Sequence, residues 1–205
     1  MAMQPFIRFE AVAAPLPEDN IDTDIIFPAR FLLITAREGL GVHAFHDRRF
    51  NSEGQERPDF ILNRVPWRGA AILVTGANFG CGSSREQAVW ALDGLGVRCI
   101  IAPGFGEIFE SNCLRNGILP VTLTPDEVAP LMAAAVAGEA LTVDLEACTI
   151  TRTDGTAQAF AIREERRQAL LNGWDDTAMI LHQWGEAIDR FEAAQQRVQP
   201  WLYRQ

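Results

Sequence analysis

One stretch of this chain decides its fold: Gly76-Ala-Asn-Phe-Gly-Cys-Gly-Ser-Ser-Arg-Glu-Gln-Ala-Val-Trp-Ala-Leu92. The apolar run before it, residues 70–75, predicts a buried strand. Three glycines in the stretch allow a sharp turn and a close approach of the backbone to a ligand. A helix is predicted over residues 83–92, because Ser83 is a suitable N-cap and Glu86 would complete a capping box.

The predicted loop and helix start form a natural anion-binding site, because free backbone N–H groups and the positive end of a helix dipole meet there. The hydroxyls of Ser83 and Ser84 and the guanidinium of Arg85 lie at its mouth. Neither the Walker nor the dinucleotide-binding glycine pattern fits the stretch, so a small carboxylate suits the site better than a nucleotide. The same residues also suit a purely structural turn, and both interpretations stay open at this point.

Composition limits the possible partners. The chain has 205 residues, with 48% hydrophobic and 22% charged residues, which is typical of a globular protein. Its formal net charge of −9 argues against nucleic acid or an anionic membrane as the partner. No apolar run reaches the roughly 18 residues of a membrane span. The N-terminal stretch lacks the apolar core of a signal peptide, so we expect a cytoplasmic location.

Cysteine and histidine spacing predicts no metal site in this chain. Cys81, Cys99, Cys113 and Cys148 contain no C-x-x-C pair, so neither zinc nor an iron–sulfur cluster is expected from this chain alone. We expect free thiols, with Cys81 as a small residue packed in its loop. The histidines at 43 and 46 have no evident third ligand and are interpreted as surface or packing residues.

The remaining pattern alternates between strands and helices. The middle of the chain predicts β-α-β-α-β, hence a largely parallel core sheet, and the Asp154-Gly155 turn adds an antiparallel hairpin. No internal repeat or linker is evident, so we expect one α/β domain over residues 1–205, with a helical extension over about 163–205. The predicted strands cover residues 6–13, 97–102, 118–123, 141–150 and 157–162, and the predicted helices cover residues 107–116, 125–137, 164–171 and 177–195.

An early loop is a second candidate site. Asp22, Thr23 and Asp24 are either turn-forming residues or present a carboxylate to a site. Residues 29–50 predict loops and a short helix, and a long irregular segment within a compact domain is often functional. Residues 51–58 predict a polar, exposed loop.

Four blocks of this sequence resemble the small-subunit family of bacterial 3-isopropylmalate dehydratases, which is the detached swivelling domain of the aconitase superfamily. They occur in the family's order and span nearly the whole chain. The resemblance implies a swivel-like (β/β/α) domain with a mixed, mostly parallel sheet, flanking helices and the helical C-terminal extension. The blocks are residues 20–32, residues 78–86, residues 101–109 together with 116–120, and residues 170–176.

The resemblance also implies an activity. Enzymes of this family are hydro-lyases that interconvert 2-isopropylmalate and 3-isopropylmalate by dehydration and rehydration, in leucine biosynthesis. The small subunit works as a heterodimer with a large subunit, which carries a [4Fe–4S] cluster. This chain would bind no cofactor of its own. Whether the isolated chain self-associates stays open.

Residue by residue, the resemblance assigns the following roles. Ser83 is implied to be the catalytic serine, which takes the substrate proton as an alkoxide. Ser84 and Arg85 match groups that bind a substrate carboxylate, and Asp24 and Arg37 match further active-site residues.

The loop that contains Arg37 looks like the one that contacts the substrate's side chain. Leu32 and Leu33 are apolar and therefore suit an isopropyl group better than a third carboxylate.

Two departures from the family pattern accompany these assignments. Gln87 stands where the family usually has histidine, and residues 35–39 read Thr-Ala-Arg-Glu-Gly where Thr-Arg-Thr-Gly is common. Two alternatives therefore stay open: a related hydro-lyase acting on citramalate or dimethylmalate, and a non-catalytic anion-binding or interaction domain. One methylene changes discrimination by only about 1–3 kcal/mol, so the sequence does not separate the alkyl malates.

Overall fold

Residues 3–203, which the computed structural model describes, build a seven-stranded sheet in the order β4-β3-β2-β1-β5-β6-β7. Strands β1 to β4 pair in parallel, whereas β5 to β7 extend the sheet from β1 by antiparallel pairing. The predicted mixed sheet is confirmed. The strands are β1 (Arg8–Leu16), β2 (Ile72–Thr75), β3 (Cys99–Ala102), β4 (Leu119–Thr122), β5 (Ala140–Asp144), β6 (Thr149–Arg152) and β7 (Ala157–Ala159).

Helices flank this sheet and connect its parallel strands. One helix connects β2 to β3 and another connects β3 to β4, as the predicted β-α-β-α-β pattern requires. The early segment 29–50 holds only short helices and turns, as predicted. The helices are α1 (Thr23–Ile26), α2 (His46–Arg49), α3 (Glu86–Leu95), α4 (Glu107–Arg115), α5 (Pro125–Val136), α6 (Glu164–Asn172) and α7 (Asp176–Val198), and short 3-10 turns cover Ala29–Phe31, Leu40–His43, Ile61–Asn63 and Pro200–Tyr203.

The hydrophobic core lies on both faces of the sheet. Along β2, Leu73 belongs to the cluster that packs against α3, whereas Ile72 and Val74 belong to the cluster that packs against α5. Side chains of a strand alternate between faces, so both faces of β2 are covered. This burial fixes the carboxyl ends of the parallel strands, where the candidate site lies.

The predicted start of α3 is wrong. The helix begins at Glu86, and its N-cap is Arg85, in extended conformation and with no side-chain cap bond. The Thr23 hydroxyl instead donates to the Ser83 carbonyl oxygen at 2.8 Å, and the Glu86 carboxylate accepts from the Asn116 amide at 2.9 Å. Tertiary contacts therefore use the Ser83 carbonyl oxygen, which would accept the first bond of the predicted helix, and the Glu86 carboxylate, which the capping box would need.

Two predicted strand boundaries are also wrong. Residues 141–150 form two strands, because the Asp144 carboxylate accepts from the Ala147 N–H at 2.8 Å and closes a turn between β5 and β6. Strand β1 continues through Pro15 to Leu16, beyond the predicted end at residue 13. Pairing with β5 stops at Val12, so Pro15 lies at an edge on that side and needs no N–H there.

Candidate active site

The candidate site lies at the carboxyl ends of β2 and β3, which are neighbours in the sheet. The segment 76–85 follows β2 and is called the glycine loop below. The Phe79 N–H donates to the Gly104 carbonyl oxygen at 3.1 Å, and the Gly106 N–H donates back to Phe79 at 2.9 Å. Crevices at the carboxyl ends of parallel strands are the usual ligand sites of such sheets.

The loop before α1 joins the glycine loop through its backbone. The Gly80 N–H donates to the Ile21 carbonyl oxygen at 2.7 Å, and the Thr23 N–H donates to the Cys81 carbonyl oxygen at 2.9 Å. The Asp22 carboxylate caps α1 by accepting from the Ile25 N–H at 2.8 Å. Asp22 therefore has a local structural role at the start of α1.

Glycine is required where these segments cross. Gly80 has a φ of +71°, and a Cβ added there would lie 2.2 Å from Cγ of Phe109. A Cβ on Gly106 would lie 2.5 Å from the Gly80 carbonyl oxygen. Such distances are far below van der Waals contact, so larger residues would force the loops apart.

These loops and two helix starts surround a cavity of about 170 Å³. Neither α3 nor α4 has a side-chain cap bond at its N-terminus. Unpaired N–H groups and two positive dipole ends therefore favour an anion in the cavity. The cavity is lined by Thr23, Gly80, Cys81, Gly82, Ser83, Ser84, Arg85, Gly106, Glu107, Ile108 and Phe109.

Arg85 is the cationic group of this cavity. Its guanidinium forms an ion pair with the Asp24 carboxylate, and its side chain is only 13% exposed. A guanidinium has five N–H donors, so one carboxylate leaves donors for a second. Asp24 therefore orients Arg85 without blocking it, while the Ser83 and Ser84 side chains stay exposed.

Four of the predicted site residues come together here: Ser83, Ser84, Arg85 and, through its ion pair, Asp24. The other three do not line the cavity.

Arg37 donates to the Asp93 carboxylate at 3.2 Å and lies 5.9 Å from the Trp90 ring centre. Its partner Asp93 is seven residues along α3 from Glu86, or roughly 10 Å at the helical rise.

The two predicted leucines differ from one another. Leu32 packs against the hydrophobic core, whereas Leu33 is 92% exposed. They belong to residues 29–39, called the leucine loop below.

Sequence reasoning missed the contribution of α4. Glu107 and Ile108 line the cavity, but no role was assigned to them. A signal was present, because Pro103-Gly-Phe-Gly106 follows β3 as the glycine loop follows β2. Loops after neighbouring parallel strands meet at one edge, so the second loop could have been included in the site.

The cysteines lie in different environments. Cys99 and Cys113 are buried, and burial raises the pKa of both thiols. Cys81 and Cys148 are partly exposed and free, as predicted. Cys81 is the one that lines the cavity.

Among residues 3–203, no three His, Cys, Asp or Glu side chains are placed to hold a metal ion. His43 packs against Phe31 at 4.2 Å between ring centres, in agreement with the predicted packing role. Within the same described range, no helix is long and apolar enough to cross a membrane.

Comparisons with known proteins identify the family. A model for the aconitase C-terminal domain matches residues 3–126, and a model described as LeuD_N matches residues 129–164. The 3-isopropylmalate dehydratase small subunit of Gluconacetobacter diazotrophicus is 53% identical over 204 residues, which cover 98% of each chain. This chain belongs to the 3-isopropylmalate dehydratase small-subunit family.

Two further proteins support this family assignment. The small subunit of Rhodospirillum centenum is 51% identical over 201 residues, covering 97% of this chain and 98% of that protein. Among solved structures, a 3-isopropylmalate dehydratase (leuD) of Methanocaldococcus jannaschii is similar, with a TM-score of 0.64 and 25% identity. It covers 91% of this chain and 99% of that chain. The swivel-like fold implied by the sequence is thereby confirmed.

Proposed function

We propose that this chain is the small subunit of a 3-isopropylmalate dehydratase, a hydro-lyase of leucine biosynthesis that interconverts 2-isopropylmalate and 3-isopropylmalate. The observation that carries the proposal is the cavity at two uncapped helix starts, with Ser83 and Arg85 at its wall, in a chain of this family. The active form is a cytoplasmic heterodimer with a large subunit.

The [4Fe–4S] cluster belongs to the large subunit in this proposal. A cluster of this type is held mainly by cysteine thiolates. Cys81 alone among the four cysteines of this chain lines the cavity, and Cys99 and Cys113 are buried. The residues of this chain therefore do not fit as the cluster's ligands, and their own contribution is to position the substrate and to move a proton.

Ser83 is the proposed base that takes the substrate proton. A serine hydroxyl is a very weak acid, so its alkoxide needs strong stabilisation by its surroundings. Ser83 precedes the start of α3 and shares the cavity with Arg85 and the start of α4. Dipole ends and a cation at this point lower the free energy of the alkoxide relative to the hydroxyl.

Arg85 and Ser84 are proposed to hold a substrate carboxylate. The guanidinium offers two parallel N–H groups, which match the two carboxylate oxygens. The ion pair with Asp24 fixes the rotamer of Arg85 before substrate arrives. Less conformational entropy is then lost on binding.

The leucine loop is proposed to contact the alkyl group. Leu32 and Leu33 carry no charge, so an isopropyl group fits there and a third carboxylate does not. Arg37 belongs to the same loop, and its contact with substrate requires that its surface ion pair with Asp93 opens. An exposed pair of this kind contributes only about 0–1 kcal/mol, so opening it costs little.

The test is hydration of isopropylmaleate, followed by loss of its ultraviolet absorbance. The chain is mixed anaerobically with its large subunit, with citraconate and dimethylmaleate as parallel substrates. We expect the highest kcat/KM for isopropylmaleate. A preference for a smaller diacid would contradict the assigned substrate, and no turnover by an intact, cluster-loaded complex would contradict the enzymatic role.

A further inference from the structure

Helix α7 presents large apolar side chains to solvent. None of its 23 residues is buried. Monomeric proteins rarely leave so many large apolar residues uncovered on one element. The large apolar residues of α7 that are more than half exposed are Ile180, Leu181, Trp184, Phe191 and Val198.

Apolar residues of α7, with Gln195 at one position, form a seam along one side of the helix. Their spacing alternates between three and four, which is the repeat of a helix that packs lengthwise against another element. Gly185, Ala187 and Ala194 lie beside this line, and their small size allows a partner to approach closely. The α7 seam consists of Leu181, Trp184, Ile188, Phe191, Gln195 and Val198.

The seam faces away from α6. Asp176 anchors the start of α7 through ion pairs with Arg115 at 3.1 Å and Arg166 at 3.2 Å. Met179 and Gln183 line the clefts between α6 and α7. At 100° per residue, Met179 lies about 150° and Gln183 about 110° around the helix from the middle of the seam, so both side chains face away from it.

The exposed area is that of a stable interface. With Trp201 and Leu202 of the following turn, which are 63% and 58% exposed, the apolar side chains present on the order of 900 Å². One partner in a stable complex contributes about 800 Å². A weak or transient contact would not need a patch of this size.

Charge indicates which partner covers the seam. Glu192 borders it, Asp189 lies next around the helix, and the whole chain carries a net charge of −9. An anionic membrane would repel this surface, and a second copy would bring two acidic chains together. A different protein that has basic residues beside an apolar groove is complementary to both the seam and its acidic border.

We propose that the α7 seam docks into an apolar groove with a basic rim on the large subunit. This inference rests on the proposed function, which supplies the partner, and adds the surface through which it binds. Because α7 buries no residue in the isolated chain, its seam can be changed without unfolding the domain.

The test measures complex formation, not turnover. The large subunit is titrated with the full chain, with Trp184→Glu/Phe191→Glu, and with the control Arg190→Gln/Gln196→Glu, which makes the same change in net charge away from the seam. We expect the seam variant to weaken Kd at least 100-fold and the control to change it less than about threefold. Circular dichroism and Tm of both isolated variants should match the parent chain.

A third variant, Glu192→Arg, tests the basic rim: we expect Kd to weaken by about three- to tenfold, with a smaller salt dependence.

Several results would overturn the inference. One is a seam variant that binds the large subunit like the parent chain. Others are a parent chain that is a dimer at micromolar concentration and that the seam variant makes monomeric, or binding of the parent chain to vesicles of phosphatidylserine and phosphatidylcholine.

The same experiments distinguish a failure of the proposed function from a failure of the docking surface. If the parent chain does not bind the large subunit, both proposals fail. If it binds and turns over isopropylmaleate while the seam variant binds equally well, only the docking surface is wrong.

Discussion

The glycine loop and the leucine loop, two segments assigned to one site, are built in opposite ways. The glycine loop is held by backbone hydrogen bonds to both neighbouring loops, and its two exposed serines point at a formed cavity. The leucine loop instead exposes Leu33 almost completely and holds Arg37 in a surface ion pair.

This difference separates two functions. Groups that stabilise charge must be positioned before the reaction, because their free-energy contribution depends on preorganisation. Groups that contact an alkyl chain need only cover it when it is bound. We therefore expect changes in the glycine loop to affect stability and turnover together, and changes in the leucine loop to affect mainly selectivity.

The largest contrast is expected from one substitution in each loop. Gly80→Ala places a Cβ against the Phe109 ring, whereas Gly39→Ala meets nothing within 4 Å, although both glycines have positive φ. We expect Gly80→Ala to lower the free energy of unfolding by about 2–4 kcal/mol and Gly39→Ala by about 1 kcal/mol. Urea titration of the isolated chain measures both. Equal losses would mean that the glycine loop is not tightly packed.

The arginines offer the next contrast. Arg85→Lys keeps the charge but removes the paired N–H groups, so we expect kcat/KM of the complex to fall about 100-fold. Arg37→Lys should lower kcat/KM by less than about tenfold, because Arg37 is solvent-exposed and binds Asp93 in the free chain. Steady-state kinetics with isopropylmaleate compare the two. A larger loss for Arg37→Lys than for Arg85→Lys would mean that the leucine loop, and not the glycine loop, contributes more to turnover.

The two loops also show which features of the fold and the site can be predicted from the sequence alone. Periodicity and turn residues predicted the β-α-β-α-β core, because local patterns determine those elements. The start of α3 was missed because Thr23 and Asn116, distant in sequence, bind the Ser83 carbonyl oxygen and the Glu86 carboxylate, which the predicted helix start would have used. The separation of Arg37 from the cavity likewise depends on its tertiary contact with Asp93, which no local pattern encodes.

Substitutions of Leu32 and Leu33 should distinguish core packing from substrate recognition. Leu32→Ala removes core contacts, so we expect a loss of about 1–2 kcal/mol in the free energy of unfolding. Leu33→Ala should change stability by less than about 0.5 kcal/mol, yet shift the preference towards smaller diacids by up to about tenfold. Urea titration and a substrate panel measure the two effects. A Leu33→Ala complex with unchanged preference would remove this residue from the substrate contact.

The smallest expected effect concerns thiol labelling of the isolated chain. Cys81 lies in the cavity wall and should react with a thiol reagent in the native state, whereas Cys99 and Cys113 should react only on unfolding. Raising the pH to about 9 should not label the buried pair, because burial raises the pKa of both thiols and the thiolate is the reactive form. Mass spectrometry assigns the labelled sites. Native labelling of Cys113 would show that α4 opens.

The central claim is that Ser83 moves the proton while the loop around it only positions it. The most direct measurement is turnover of isopropylmaleate by the purified complex of Ser83→Ala, with Ser84→Ala as the matched control. We expect Ser83→Ala to assemble normally and to lose at least about 10³-fold in kcat, while Ser84→Ala loses much less. A Ser83→Ala complex that keeps a near-normal kcat would contradict it.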